Sequence, residues 1–250
     1  KLTITNGTAN IGNAADEDIL SSGGSITMNG GALNIAGKYY NVGINNLSYF
    51  SISNGTVTVP SIGSTNTNYA PFHITGVGSQ FNQTGGLIII PREGGGGAQN
   101  YGFTNTGSIG GSVTGGTLQI GSAATPAGQT MILNTSYPIG NLSINSANAT
   151  ASLVTSPLTV IRNVNINSGS LRTTTLDINV GGNWFDAGTF VPGNATVNFN
   201  STSAQTIFKA GGETFNNLTF SNAGVKTFSS AITASIATIN SGASVDVGTA

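Results

Sequence analysis

There is no cysteine in this chain, and charged residues make up only 6% of it. The first absence rules out disulfides and thiolate metal sites while saying little about compartment. The second sets the chain apart from an ordinary globular enzyme, in which about a quarter of residues are charged. Seven Lys plus Arg against eight Asp plus Glu, with a formal net charge of −1, offer no basic surface for nucleic acid. No apolar run approaches the roughly 18 residues of a membrane helix. The longest, Leu87-Ile88-Ile89-Ile90, has the length of a strand. The sequence opens directly on the strand-like pattern Leu2-Thr3-Ile4-Thr5, and a mature chain or an excised fragment is the expectation.

What is abundant is small and polar: 37 Gly, 33 Thr, 30 Asn and 27 Ser among 250 residues. The chain does not have the composition of a disordered one, because apolar residues reach 38%, are spread evenly, and accompany almost no net charge. Thr, Val, Ile, Asn and Gly together favour strands and turns over helices.

The chain repeats itself. "LTITNGTANIG" from Leu2, "SITMNGGALNIAG" from Ser25, "YFSISNGTVTVPSIG" from Tyr49, "SQFNQTGGLIIIP" from Ser79 and "GSVTGGTLQIG" from Gly111 share one form. Each is an alternating strand, a glycine break and a second alternating strand. Aligned on Gly7, Gly31, Gly55, Gly86 and Gly116, the steps are 24, 24, 31 and 30 residues. The longer steps carry the insertions "TNTNYAPFHITG" and "REGGGGAQNYGFTNTG". The second half uses other wording: "NLSINS", "NVNINSGSL", "LDINVGGNW", "ATVNFNS", "NNLTFSNAG" and "ATINSGASV". Counted on Ile144, Ile166, Val180, Phe199, Phe220 and Ile239, its steps are 22, 14, 19, 21 and 19, and the 14 suggests that Val180 lies on a different face.

One such unit cannot bury its apolar side alone, but stacked on its neighbours it can, with backbones paired at about 4.8 Å. The prediction is therefore an all-β fold, a parallel right-handed β-solenoid (β-helix) with coils of about 19–31 residues. A section at 1–135 has longer coils and insertions at 64–80 and 91–111; a section at 136–250 has shorter coils and continues the first. Hairpins are the rival, since "NG" at 6–7, 29–30 and 54–55 is a hairpin signal, but a sandwich needs no near-constant spacing.

The first half, with "VTGGTLQIG" and "TMNGGALNIAG", resembles strand repeats in autotransporter passenger regions and other bacterial surface β-helices. The second half, "GGNWFDAGTFVPGNATVNFNSTSAQTIFKAGGETFNNLTF" onward, resembles a segment common in large Bacteroidetes proteins secreted by the type IX route, many of them adhesins. The likeness is close over about 180–250 and one of style elsewhere. It implies an extracellular, cell-surface β-helical segment of a larger adhesin and no catalytic residues.

Hidden chemistry is sparse. Asp16, Glu17 and Asp18 in "AADEDIL" fit no calcium-loop spacing and are expected to be a solvated loop. A β-helical glycosidase would need two carboxyls roughly 5 to 9.5 Å apart, for which Asp177 and Asp186 are the pair to watch. His73, the single histidine, has no Ser or Asp partner at motif spacing. The "EGGGGAQN" run lacks the Lys and Ser/Thr of a phosphate loop. Trp184 fits a plug beside Phe185 and Phe190 better than a sugar platform. Irregular coil lengths and broken Thr ranks disfavour an ice-binding face. No catalytic residue, metal or cofactor is expected.

The recognition candidates are aromatic or basic: Tyr69, Phe72, His73, Arg92, Tyr101 and Phe103 on the insertions, joined by Tyr39 and Tyr40 of "GKYYNVG". Such residues on loops of a rigid scaffold could contact a ligand; equally, they could cover the flank of the solenoid. The expected function is a non-enzymatic structural or adhesive rod, the alternative a secreted carbohydrate-binding or carbohydrate-degrading β-helix. The expected partners are neighbouring repeats or copies at the solenoid ends, where no polar cap is evident, and surface glycans or abiotic surfaces. Nucleic acid and membrane insertion are not expected.

Overall fold

In a computed structural model, which describes residues 1–12, 17–42, 47–62, 68–94 and 100–248, the chain winds into a parallel β-solenoid. About 10 turns stack, 56% of the chain is strand, and no helix occurs among the described residues. Each full coil passes through three faces. In the first coil these are Leu2–Ile4, Thr8–Ile11 and Ile19–Leu20. Each of these three strands pairs with its counterpart one coil later, not with the next strand along the chain.

The second face carries the longest ladder. Thr8, Ala32, Thr56, Leu87, Thr117 and Asn141 lie in one register. The ladder continues through Val164–Arg172, Trp184–Asp186, Gln205–Lys209 and Val225–Phe228 to Ser244–Asp246. Its early spacings are those of the aligned glycines. Gly7, Gly31, Gly55, Gly86 and Gly116 all hold positive φ, at 74°, 67°, 90°, 70° and 77°, at the corner between the first and second faces. A Cβ on Gly31 would come within 2.3 Å of the Gly7 carbonyl oxygen. The Asn-Gly breaks are thus corners of a coil, and the strands on either side of them pair outward to neighbouring coils.

Leu158–Val160, Ile178–Val180, Thr196–Phe199 and the ends of Glu213–Phe220 and Ile232–Ile239 stack on the first face. Val180, Phe199, Phe220 and Ile239 therefore form one column, whereas Ile144 and Ile166 belong to the second face. Between the early and late coils the first face thins to single bridges, Gln83 with Val113 and Ile139 with Val160. The second-face ladder runs through that stretch without interruption.

Inward side chains fill a narrow core that changes along the axis. Tyr39, Phe50, Phe72, Phe81 and Phe103 interlock in the early coils, with neighbouring ring centroids 4.9 to 6.2 Å apart. Leu133, Leu142, Ile144, Leu153, Leu158 and Ile166 occupy the middle. Trp184, Phe190, Phe199, Phe215 and Phe220 form a second aromatic cluster. Each such side chain contributes about 1.5–3 kcal/mol by leaving water, and the stack shares that gain among coils that could not fold singly.

Outward side chains form ladders of their own. At one corner Asn141 Oδ1 accepts from Asn163 N at 3.1 Å, Asn163 Oδ1 from Asn183 N at 2.8 Å, and Asn183 Oδ1 from Thr206 N at 2.8 Å. Asn34 donates to Asn10 at 2.8 Å, and Asn198 to Asn179 at 3.0 Å. The abundance of Asn thus has a structural use: these amides satisfy groups on neighbouring coils.

Candidate functional site

The eight recognition candidates divide between inside and outside. Tyr39, Phe72 and Phe103 are strand residues at 1%, 0% and 1% exposure, facing the core of the third face. That corrects their assignment to loops leaving the rod: they occupy inward positions of the strands Tyr39–Asn41, Phe72–Ile74 and Tyr101–Asn105. Burial also pushes the Tyr39 hydroxyl up to about 12, against a weaker opposing bond to Ser21. Tyr40, Tyr69, Arg92 and Tyr101 are half-buried. Tyr40 stacks on Tyr69 at 4.7 Å, and Tyr69 lies 4.9 Å from His73, so three rings sit together on the outside of the third face.

His73 is 7% exposed and held on both sides. Its Nδ1 accepts from Ala70 N at 3.3 Å, which leaves the proton on Nε2 to donate to the Thr75 hydroxyl at 3.3 Å. Burial, with the Lys38 charge nearby, lowers its pKa to about 4. Lys38 is fully buried and donates through Nζ to Gly94 O at 2.6 Å, pinning the segment before the glycine run against the third face. Asp18 accepts from Lys38 N at 2.7 Å. Asp16 of the acidic trio lies outside the described residues, as do 63–67 and 95–99 of the two insertions.

A shallow groove of about 560 Å³ follows the corner beyond the second face. Ala36, Pro60, Ile62 and Pro91 give it an apolar floor; Asn10, Asn34, Thr58 and Ser122 give it a polar rim. Its residues come from five separate coils, so no linear motif announces it.

A buried cluster of three ionisable groups lies elsewhere among the described residues. The second-face column Ile90–Ile120–Ile144–Ile166 continues inward as Asp186 and then Lys209. Asp186 is fully buried; its Oδ2 pairs with Lys209 Nζ at 2.5 Å and its Oδ1 accepts from Gly188 N at 2.7 Å. Glu213, also buried, places Oε1 at 3.5 Å from Lys209 Nζ and accepts from Trp184 Nε1 at 3.1 Å through Oε2. Burial, with Asp186 alongside, pushes the Glu213 carboxyl up to about 7. Burial alone would lower the Lys209 pKa, but the bond to Asp186 and the charges of both carboxylates raise it. Asp177, the other half of the carboxylate pair considered from sequence, instead caps Thr196 N at 2.7 Å. Trp184 is the plug expected, packed on Phe190 at 4.9 Å, while Phe185 points outward and stacks on Phe208 at 5.6 Å.

Among the described residues, no group of three or more His, Asp or Glu side chains is placed to hold a metal ion. Among the described residues no helix is long and apolar enough to cross a membrane. The fold defines the class, a parallel β-solenoid built from sequence repeats. No family model, curated protein or solved structure matches the chain.

Proposed function

We propose that this chain is a stiff, non-catalytic rod within an extracellular surface fibre or adhesin. The observation that carries this is the second-face ladder, which joins coil to coil from Thr8–Ile11 to Ser244–Asp246. A continuous parallel ladder over an interlocked core resists bending. The outward amide and hydroxyl ladders give the rod a neutral polar surface whose contacts depend little on salt. Its placement outside the cell rests on the resemblance of residues 180–250 to secreted surface repeats. In the last coil Ile239 is 59% exposed, and Ile232 and Ala234 are only partly covered. A further repeat or a second copy stacked there would bury them and pair the open strand edge. Protease shaving of intact source cells, followed by blotting for this segment, tests the proposal. A large band lost on shaving supports it; a free band the size of this chain in the medium overturns it. Light scattering tests the stacking, since a stable monomer of the isolated chain would argue against self-association.

The corner groove favours a second reading, contact with a glycan along the rod. Its proline and isoleucine floor suits a sugar's apolar ring face, and its Asn and Thr rim suits the hydroxyls. Glycan-array binding abolished by Ile62→Asp supports this; binding indifferent to that change counts against it.

A further inference from the structure

We propose that Asp186 and Lys209 condense into an intramolecular amide, a covalent clasp between successive coils, with Glu213 as proton shuttle. The rod reading is not needed for this; the geometry of the cluster carries it. The two residues are register partners in the parallel ladder, so their side chains leave adjacent strands at the same height. Lys209 Nζ lies 2.5 Å from Asp186 Oδ2, and the other carboxylate oxygen is fixed by the Gly188 N–H at 2.7 Å. The carbonyl carbon is thereby held against the amine, with a backbone donor on the oxygen that would carry charge during addition. Glu213 hydrogen-bonds with Asp186 and reaches Lys209 Nζ at 3.5 Å, touching both reacting groups. Trp184 orients it at 3.1 Å through Nε1, and Thr214 N donates to it at 3.1 Å. Ile166 flanks Asp186 on the preceding coil, and Trp184 packs against Phe190 and Phe215.

The step balances without any co-reactant. Proton transfer within the ion pair gives an amine and an acid. The Nζ lone pair forms a bond to Asp186 Cγ. The Cγ–Oδ2 bond breaks, and Oδ2 departs as water carrying one proton from Nζ and one from the acid. Glu213 gives a proton to the departing oxygen and recovers one from the nitrogen, ending as it began. That it holds a proton near neutral pH, being pushed up to about 7, suits the role. Condensation also removes two charges from a site where a buried ion pair bears a desolvation cost.

Intact mass spectrometry of the denatured 250-residue chain tests this. The expected mass is one water below that of the sequence. Trypsin, which does not cleave after an acylated lysine, should then leave residues 173–226 as one peptide, light by one water. A chain at full sequence mass after prolonged warming near neutral pH would overturn the clasp and leave a plain ion pair. So would a light mass that persists in Lys209→Arg, which places the dehydration elsewhere. Glu213→Gln should slow the mass loss; an unchanged rate would remove Glu213 from the chemistry.

Discussion

At the scale of single residues, the buried polar groups set the pH response. His73 has a pKa of about 4 in the folded chain, below the ordinary 6.5, because burial and the Lys38 charge oppose its protonation. The unfolded chain therefore takes up the proton first. Stability from the neutral ring is present above about pH 6.5 and is lost as pH falls toward 4. At about 1.4 kcal/mol per pKa unit the loss is at most on the order of 3 kcal/mol. Glu213 acts in the opposite direction while Asp186 and Lys209 remain an ion pair. Its folded pKa of about 7 exceeds the ordinary 4.5, so stability present at low pH is lost as pH rises through that window. Because His73 is the only histidine, one ring resonance reports it. We expect a midpoint near 4 in the folded chain, and a flatter acid limb of the melting curve in His73→Gln. A folded-state midpoint at 6.5 would show the ring to be solvated.

At the scale of the coil, the corners decide which glycines matter. Gly7 and Gly31 both need positive φ, but a Cβ on Gly7 meets nothing within 4 Å, whereas one on Gly31 meets the Gly7 carbonyl at 2.3 Å. Gly7→Ala should cost about 1 kcal/mol, the left-handed strain alone. Gly31→Ala should cost several times more, because a backbone must move as well. Urea midpoints followed by circular dichroism separate the two, and equal losses would mean that the stack yields freely at its corners. These corners were legible in the sequence because positive φ selects glycine and each early coil places it alike. The later coils were harder to follow. A count on apolar residues loses the second face where Ile166 gives way to Asp186 and Lys209, and lands instead on Val180 of the first face, one face short of Asp186. The same polar interruption kept the Asp186–Lys209–Glu213 cluster out of sight, since its members are 23 and 4 residues apart in sequence and meet only through the coil register. Phe72 and Phe103 look like loop aromatics because they lie within insertions, and Tyr39 because it sits in the short glycine-flanked "GKYYNVG"; only the strand pairing Tyr39–Phe72–Phe103 turns them inward.

At the scale of the whole molecule, a stack in which each coil touches only its neighbours should not unfold as one unit. Two natural probes sit in different thirds of the rod: His73 beside the early aromatic cluster and Trp184, the only tryptophan, inside the late one. Between them the core is aliphatic. Phe220 is 2% exposed and connects to Trp184 through Phe199, with centroids 6.1 and 6.3 Å apart. Phe220→Ala should remove about 3–5 kcal/mol from the late coils. If coupling between coils is local, the Trp184 fluorescence transition moves to lower urea while the His73 resonance keeps its midpoint. If both move together by the same amount, the second-face ladder carries the loss across the aliphatic middle, and the rod behaves as a single cooperative body. The mechanical consequences differ: a locally coupled rod would shed coils one at a time under load, whereas a single body would hold to one threshold and then fail throughout.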